Sequence, residues 1–305
     1  MITCQIMGGL GNQLFQIFTT IAYALEQKQN FGFLYTTFSI SMTSRTTYWN
    51  NLLINLKKSN HPNLPKEHRV LREKGFHYTP LPNLLPTINT NHIEDSSTSL
   101  TLLYGYFQSH QYFEKYWKQI YEMVDFDAFK EKLREKIQEH YGSVDFQNAI
   151  SMHFRMGDYK KLPGHYEILP YEYYEKSIRF ILTKIKKREK KNKNLEKQAK
   201  SVFYFCEEKD KEDVIVVIER LKLVFPLVAF IRVENRFFED WEQMIFMSCC
   251  KFNIIANSTF SWWGAFLNTI ENRVVCYPSV WFGSKNAHMD TRDLFKGLPW
   301  EKIGE

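Results

Sequence analysis

Residues 149–159 read Ala149-Ile150-Ser151-Met152-His153-Phe154-Arg155-Met156-Gly157-Asp158-Tyr159. An apolar run of strand length ends in a charged loop that contains glycine. Pro170–Lys186 then carries helical spacing behind a proline in its first turn. Strand, polar loop and helix in that order form the repeating unit of a parallel sheet. The unit recurs downstream, with strands expected at Ser201–Phe205, Val228–Val233, Phe252–Ala256 and Arg273–Tyr277. Helices are expected between them at Asp210–Val224, Glu239–Cys250 and Ser258–Thr269.

Upstream, the chain opens on the same plan. Ile2–Met7 is a short apolar run that stops at Gly8-Gly9-Leu10-Gly11. Leu14, Phe15, Ile17, Phe18, Ile21, Ala22 and Leu25 then keep a 3.6-residue period. Phe31–Tyr35 and Thr101–Tyr106 read as strands, and Tyr112–Val124 and Ala128–His140 as helices. The prolines 62, 65, 80, 82 and 86 break the pattern between residues 36 and 99 into loops and short pieces. The α/β cycle restarts near Gln147, so two α/β domains are expected, 1–145 and 146–305. A ligand would sit in the cleft between them, at the carboxyl ends of the strands.

The chain has 305 residues, 44% hydrophobic and 24% charged, enough to bury a sizeable core. Its formal charge of +6 is not evenly spread. Lys184–Lys200 holds nine Lys/Arg and two Glu, a local +7, and the remainder sums to −1. That argues against a domain-wide face for nucleic acid. The stretch reads as a solvated helix end and loop, with contact to a membrane surface or to nucleic acid as the alternative; no aromatics are interleaved to support the latter, and no nucleic-acid partner is expected. Five cysteines without a C-x-x-C fit neither a zinc ribbon nor a disulfide framework. Cys249-Cys250 lies on a helical apolar face and reads as core. No signal peptide or spanning segment is evident, and a cytoplasmic setting is expected.

Three sites at strand ends carry candidate chemistry. In the first turn, Gly9 and Gly11 with Asn12 and Gln13 sit where backbone can approach an anion, or where a tight turn simply needs glycine. A dinucleotide fingerprint would need a third glycine at Leu14 and an acid about 20 residues on, and Phe31–Phe38 carries none. In the second, His153 and Arg155 share one face of an extended chain. Arg155 can hold a diphosphate in bidentate fashion. Asp158 is close enough to take a proton from a bound hydroxyl or to orient Arg155, and a structural Arg–Asp pair fits the spacing equally well. In the third, Asn257, Ser258, Thr259 and Ser261 open a helix after an apolar strand, as a phosphate site or as an ordinary cap. Glu207-Glu208 follows another strand and could meet a ribose or a guanine edge, or could start a helix. Asp125-Phe126-Asp127 is a literal D-x-D, but it precedes a helix and supplies too few oxygens for a metal; none is expected.

Taken together, Gly8–Gln16 (GGLGNQLFQ), His153–Tyr159 (HFRMGDY) and Cys250–Asn268 (CKFNIIANSTFSWWGAFLN) resemble the inverting α-1,2-fucosyltransferases of glycosyltransferase family 11. Gly105–Phe113 (GYFQSHQYF) matches in style, and the order of the segments agrees along the chain. The resemblance implies a GT-B fold of two Rossmann-like domains facing across a cleft. It also implies a GDP-β-L-fucose donor held mainly by the second half, a galactose-terminated acceptor, and transfer without metal or cofactor. By position it makes Arg155 the diphosphate ligand and His153 part of the nucleotide site. Ser258, Thr259 and Ser261 would contact phosphate and Glu208 the guanine or ribose. Asn257 and Glu207 join that donor set, and Asn12 faces the sugar or acceptor. Asp158 is the candidate base, with Arg155 and Asn12 as its catalytic partners. The family usually has a second Arg where this chain has Met156, and Ser-Asp-Asp where it has Cys206-Glu207-Glu208. The basic insertion 184–200 has no counterpart. Another GDP-sugar transferase, or a non-catalytic sugar or nucleotide binder, are the alternatives.

Overall fold

The computed structural model describes residues 1–39, 45–63, 68–84, 100–191 and 200–304. The chain divides into two compact units. One comprises Met1–Asp127 with Met289–Lys296, the other Ala128–His288 with Gly297–Glu305.

In the first unit, β1 (Ile2–Cys4) leads to helix α1 (Leu10–Glu26). Pairs of two-residue strands follow: β2 (Phe33–Leu34) with β5 (Asn60–His61), and β3 (Phe38–Ser39) with β4 (Arg45–Thr46). The main sheet is parallel, in the order β1, β7 (Leu100–Tyr104), β6 (His68–Arg72). Strand β6 lies where the prolines suggested loops and short pieces. Its residues are mostly exposed, so it lacks the apolar run that marks a buried strand. Helix α1 is buried along nearly its whole length. Its Phe18 meets Phe113, Trp117 and Phe126 at 5.9–6.3 Å between rings. Helix α2 (Trp117–Val124) starts later than its pattern predicts, because two 3₁₀ turns occupy His110–Tyr116.

The second unit is built on a six-stranded, wholly parallel sheet. Its order is β10 (Val228–Arg232), β9 (Lys200–Phe205), β8 (Ile150–His153), β11 (Phe252–Ile254), β12 (Val274–Pro278), β13 (Glu301–Ile303). Parallel neighbours need crossovers. Three are helices at their expected places: α4 (Tyr171–Lys191), α5 (Lys211–Val224) and α7 (Thr259–Phe266). Helix α6 (Asp240–Cys249) precedes β11. Ile150, Met152, Ile178, Ile181, Val202, Ile218, Leu221 and Ile254 form the core between α4, α5 and the sheet. Both units are thus α/β with a parallel main sheet, as the alternation of strands and helices predicts, while the small β3–β4 pair is antiparallel.

Helix α3 (Phe126–Tyr141) belongs, from Ala128 onward, to the second unit. Lys130 donates to the Leu267 carbonyl at 2.5 Å, and the Tyr141 ring stacks parallel to Phe238 at 6.0 Å. The second unit therefore begins ahead of the 145/146 division read from the sequence. Residues 184–191 of the basic stretch extend α4 beyond its expected end at Lys186, and residues 192–199 lie outside the described residues. No described helix is long and apolar enough to cross a membrane.

Candidate active site

Strand β8 is central in its sheet, between β9 and β11, and all four of its residues are buried. Its carboxyl end delivers the loop that starts at His153. A 3₁₀ turn, Gly157–Lys161, bends that loop back. One buried carboxylate anchors the turn: Asp210 accepts the Gly157 amide at 2.6 Å and the Lys160 ammonium at 2.7 Å. Gly157 has φ +30°, and a Cβ there would lie 2.6 Å from Glu207 Oε1. The sequence presented Asp210 only as a helix start. Its anchoring role depends on contacts about 50 residues away in the chain.

Arg155 is held on three sides. Its Nη2 donates to Asp158 Oδ1 at 2.5 Å, and its Nη1 donates to Glu207 Oε1. The guanidinium carbon lies 5.1 Å from the centre of the Tyr159 ring. That ring stacks on Tyr166 at 4.2 Å and 12°, and Tyr166 meets Phe282 at 5.8 Å. Burial works against the charge on Arg155, but Tyr159, Asp158 and Glu207 together outweigh it and raise its pKa. The cation is permanent and faces carboxylate-type partners with both arms.

His153 is 7% exposed and packs 5.4 Å from the Phe260 ring. Burial, with Arg155 adding to it, pushes its pKa down to about 3. It is a neutral imidazole at ordinary pH and contributes no positive charge to an anion site.

Helix α7 starts beside this loop. Ser258 is its N-cap and accepts the Phe260 amide at 3.4 Å. Asn257, 1% exposed, joins three loops: it donates to the Glu167 and Trp281 carbonyls, and its own carbonyl accepts the Tyr159 hydroxyl at 2.9 Å. The Ser261 hydroxyl is buried and accepts the Ala256 amide at 3.1 Å, so it is engaged within the chain. Thr259 is half-buried at the helix mouth. Trp262 and Trp263 are fully buried and fill the core.

Glu207 and Glu208 diverge although adjacent. Glu207 turns toward Arg155 and also pairs with Lys209 at 2.6 Å. Glu208 turns away to Arg232, whose Nη2 donates to it at 2.6 Å. That bond holds the Glu208 carboxyl below the usual range. Arg232 closes β10 and its side chain is 7% exposed. It is thus a second guanidinium at the carboxyl edge of the sheet, which sequence reading passed over as part of a strand. Met156, by contrast, is buried in the core.

In the first unit, the glycine turn is tied by amides. Helix α1 begins at Leu10, with Gly9 as an N-cap that offers no side-chain acceptor. Gly11, Asn12 and Gln13 therefore form its first turn. Gly8 has φ +76°, a conformation that favours glycine. Gln13 donates to the Gly8 and Thr46 carbonyls, and Asn12 Oδ1 accepts from Gln108 at 3.0 Å. Gln16 brackets Met7, accepting its amide at 2.8 Å and donating to its carbonyl at 2.9 Å. The two residues flanking Phe126 serve the fold: Asp125 ends α2 in the left-handed region, and Asp127 accepts the Tyr121 hydroxyl.

Comparison with known proteins agrees with the motifs. The "Glycosyl transferase family 11" profile matches residues 213–296. The O-antigen biosynthesis glycosyltransferase WbnK of Escherichia coli is 34% identical over 160 residues, 50% of this chain and 45% of WbnK. The aligned part thus spans less than half of that relative. An alpha-1,2-colitosyltransferase of Escherichia coli is 26% identical over 307 residues, 92% of each chain. Among solved structures, a mutant of Arabidopsis thaliana FUT1 in complex with GDP aligns with a TM-score of 0.44 at 11% identity. That alignment covers 89% of this chain and 71% of the other. In its matched segment, residues 213–296, and through its curated relatives, the chain is similar to glycosyl transferase family 11.

Proposed function

We propose that the protein is an inverting glycosyltransferase that moves L-fucose from GDP-β-L-fucose to the 2-hydroxyl of a galactose-terminated glycan, without metal. The observation that carries this reading is Arg155, a charged guanidinium fixed at the carboxyl edge of a parallel sheet beside the start of α7. Transfer leaves negative charge on the departing GDP. Donors already aimed at that charge are worth about 3–4 kcal/mol for a single group. Arg155 and the amides at Ser258 and Thr259 would meet the diphosphate, and Glu208 the nucleoside. Asn12 would meet the sugar or acceptor. Asp158 would take the proton of the attacking hydroxyl, help worth roughly 10²–10⁴ in rate.

The Asp158–Arg155 pair favours a second reading of Asp158, as the group that orients Arg155. Asp158→Asn separates the two. A base lost means transfer abolished with GDP binding kept; an orienting group lost means GDP affinity falls too. The donor sugar has one named competitor, since a relative is a colitosyltransferase. The test is GDP release from GDP-fucose and from GDP-colitose, with galactose-terminated acceptors, with and without EDTA. Turnover of GDP-fucose that survives EDTA supports the proposal. Loss in EDTA overturns the metal-free step. Binding without turnover with any acceptor makes the protein a sugar-nucleotide binder.

A further inference from the structure

Both arms of Arg155 are taken by carboxylates, one from Asp158 and one from Glu207. A diphosphate that uses the guanidinium in bidentate fashion must compete with both of them for its charge and its N–H groups. The two are not equivalent. Asp158 sits three residues from Arg155, on the 3₁₀ turn that follows it, so this pairing is local in the chain. Glu207 reaches across from the loop after β9, 52 positions away in the chain. Its side chain is 36% exposed, and its second oxygen already pairs with Lys209 at 2.6 Å. The two side chains are equally exposed, 37% for Asp158 and 36% for Glu207, but Glu207 has a second cation at hand in Lys209. Gly157 makes the arrangement possible, because any Cβ there would meet the Glu207 carboxylate.

We infer that Glu207 is a stand-in for the diphosphate: it neutralises and aligns Arg155 while the site is empty, then swings to Lys209 when the anion arrives. This rests on the proposed role of Arg155 in holding the donor. It makes Glu207 a positioning residue that competes with the ligand, and Lys209 the group that eases the exchange. The adjacent Glu208, held by Arg232, is left to face the nucleoside.

The assignment has a sign that a ligand-contacting or merely structural Glu207 would not give. GDP and guanosine binding are measured by calorimetry on the full chain, for the wild type, Glu207→Gln and Lys209→Met. Removing the competing charge in Glu207→Gln should tighten GDP about fivefold, while Lys209→Met should weaken it by a similar factor, the scale of half-exposed ion pairs. Guanosine, which lacks the diphosphate, should bind all three alike. Wild type silent with Glu207→Gln binding GDP gives the same support. Weaker GDP binding by Glu207→Gln, or equal shifts for GDP and guanosine, would overturn the stand-in while leaving the donor assignment standing. GDP bound by none of the three proteins would overturn both.

Discussion

The Tyr159 hydroxyl donates to the Asn257 carbonyl at 2.9 Å, joining the loop after β8 to the loop after β11. The same ring carries the Arg155 guanidinium on its face. One residue therefore does two separable things. Tyr159→Phe keeps the ring and its stack on Tyr166, and loses the hydroxyl's bond to Asn257 and its contact with Arg155, at a cost of about 1 kcal/mol in stability for the first. GDP affinity should hold. Tyr159→Leu removes the aromatic platform as well, and a partly desolvated cation–π contact is worth roughly 0.5–2 kcal/mol. GDP binding should then weaken several-fold. Urea unfolding and calorimetry on the two variants read the two effects; equal GDP loss in both would mean that the hydroxyl, not the ring, sets Arg155.

His153 supplies a pH signature. Its folded pKa is about 3, against 6.5 for an ordinary histidine. Below about pH 6.5 the unfolded chain takes up a proton that the folded chain refuses. The stability tied to the neutral imidazole is therefore complete above about 6.5 and is lost as pH falls toward 3. The slope is at most about 1.4 kcal/mol per pH unit from this one group. His153→Gln removes the titrating ring, so unfolding midpoints between pH 6.5 and 4 should depend less on pH than in the wild type. An unchanged slope would place the acid sensitivity elsewhere.

In the first unit, Gln16 and Asn12 are both amides near the glycine turn, but their surroundings differ. Gln16 is fully buried and satisfies both backbone groups of Met7. Gln16→Ala strands an amide and a carbonyl, and each buried unsatisfied group costs about 1–3 kcal/mol. Asn12 is half-buried and has Gln108 as a partner. Asn12→Ala should cost less stability than Gln16→Ala and, on the proposed reading, lower transfer with GDP binding unchanged. Thermal unfolding and the GDP-release assay check the pair; a stability loss at Asn12 as large as at Gln16 would remove the case for a ligand-facing role.

The course of the second unit was legible because its strands are continuous apolar runs, each followed by turn chemistry and helical spacing. Ile150–His153, Lys200–Phe205 and Phe252–Ile254 all fall where that pattern puts them. Strand β6 was not legible, since an exposed strand such as His68–Arg72 lacks the periodic signal. Neither was β13, three residues with no apolar run. At the site, chain spacing suggested that Arg155 and Asp158 could pair, because i and i+3 meet locally. The contacts from Glu207, Asp210 and Arg232 come from other strand ends. They arise only when β8, β9 and β10 are laid side by side, which no spacing rule reports.

Ser258 and Ser261 make the last separation. Both are hydroxyls that the sequence offers to a phosphate, yet they occupy different environments. The Ser261 hydroxyl is 1% exposed and takes the Ala256 amide. Ser261→Ala leaves that buried amide unpaired, so a loss of about 1–3 kcal/mol in stability is expected, with GDP affinity close to wild type in the folded protein. Ser258 sits at the helix mouth as the cap of α7. Ser258→Gly keeps backbone geometry that suits an N-cap and costs only a few tenths of a kcal/mol. On the proposed reading it should nonetheless weaken GDP binding several-fold, because it removes a hydroxyl beside the amides that would meet the diphosphate. Calorimetry with GDP on both variants, set against their unfolding curves, decides the assignment. Weaker binding in Ser261→Ala and none in Ser258→Gly would reverse it.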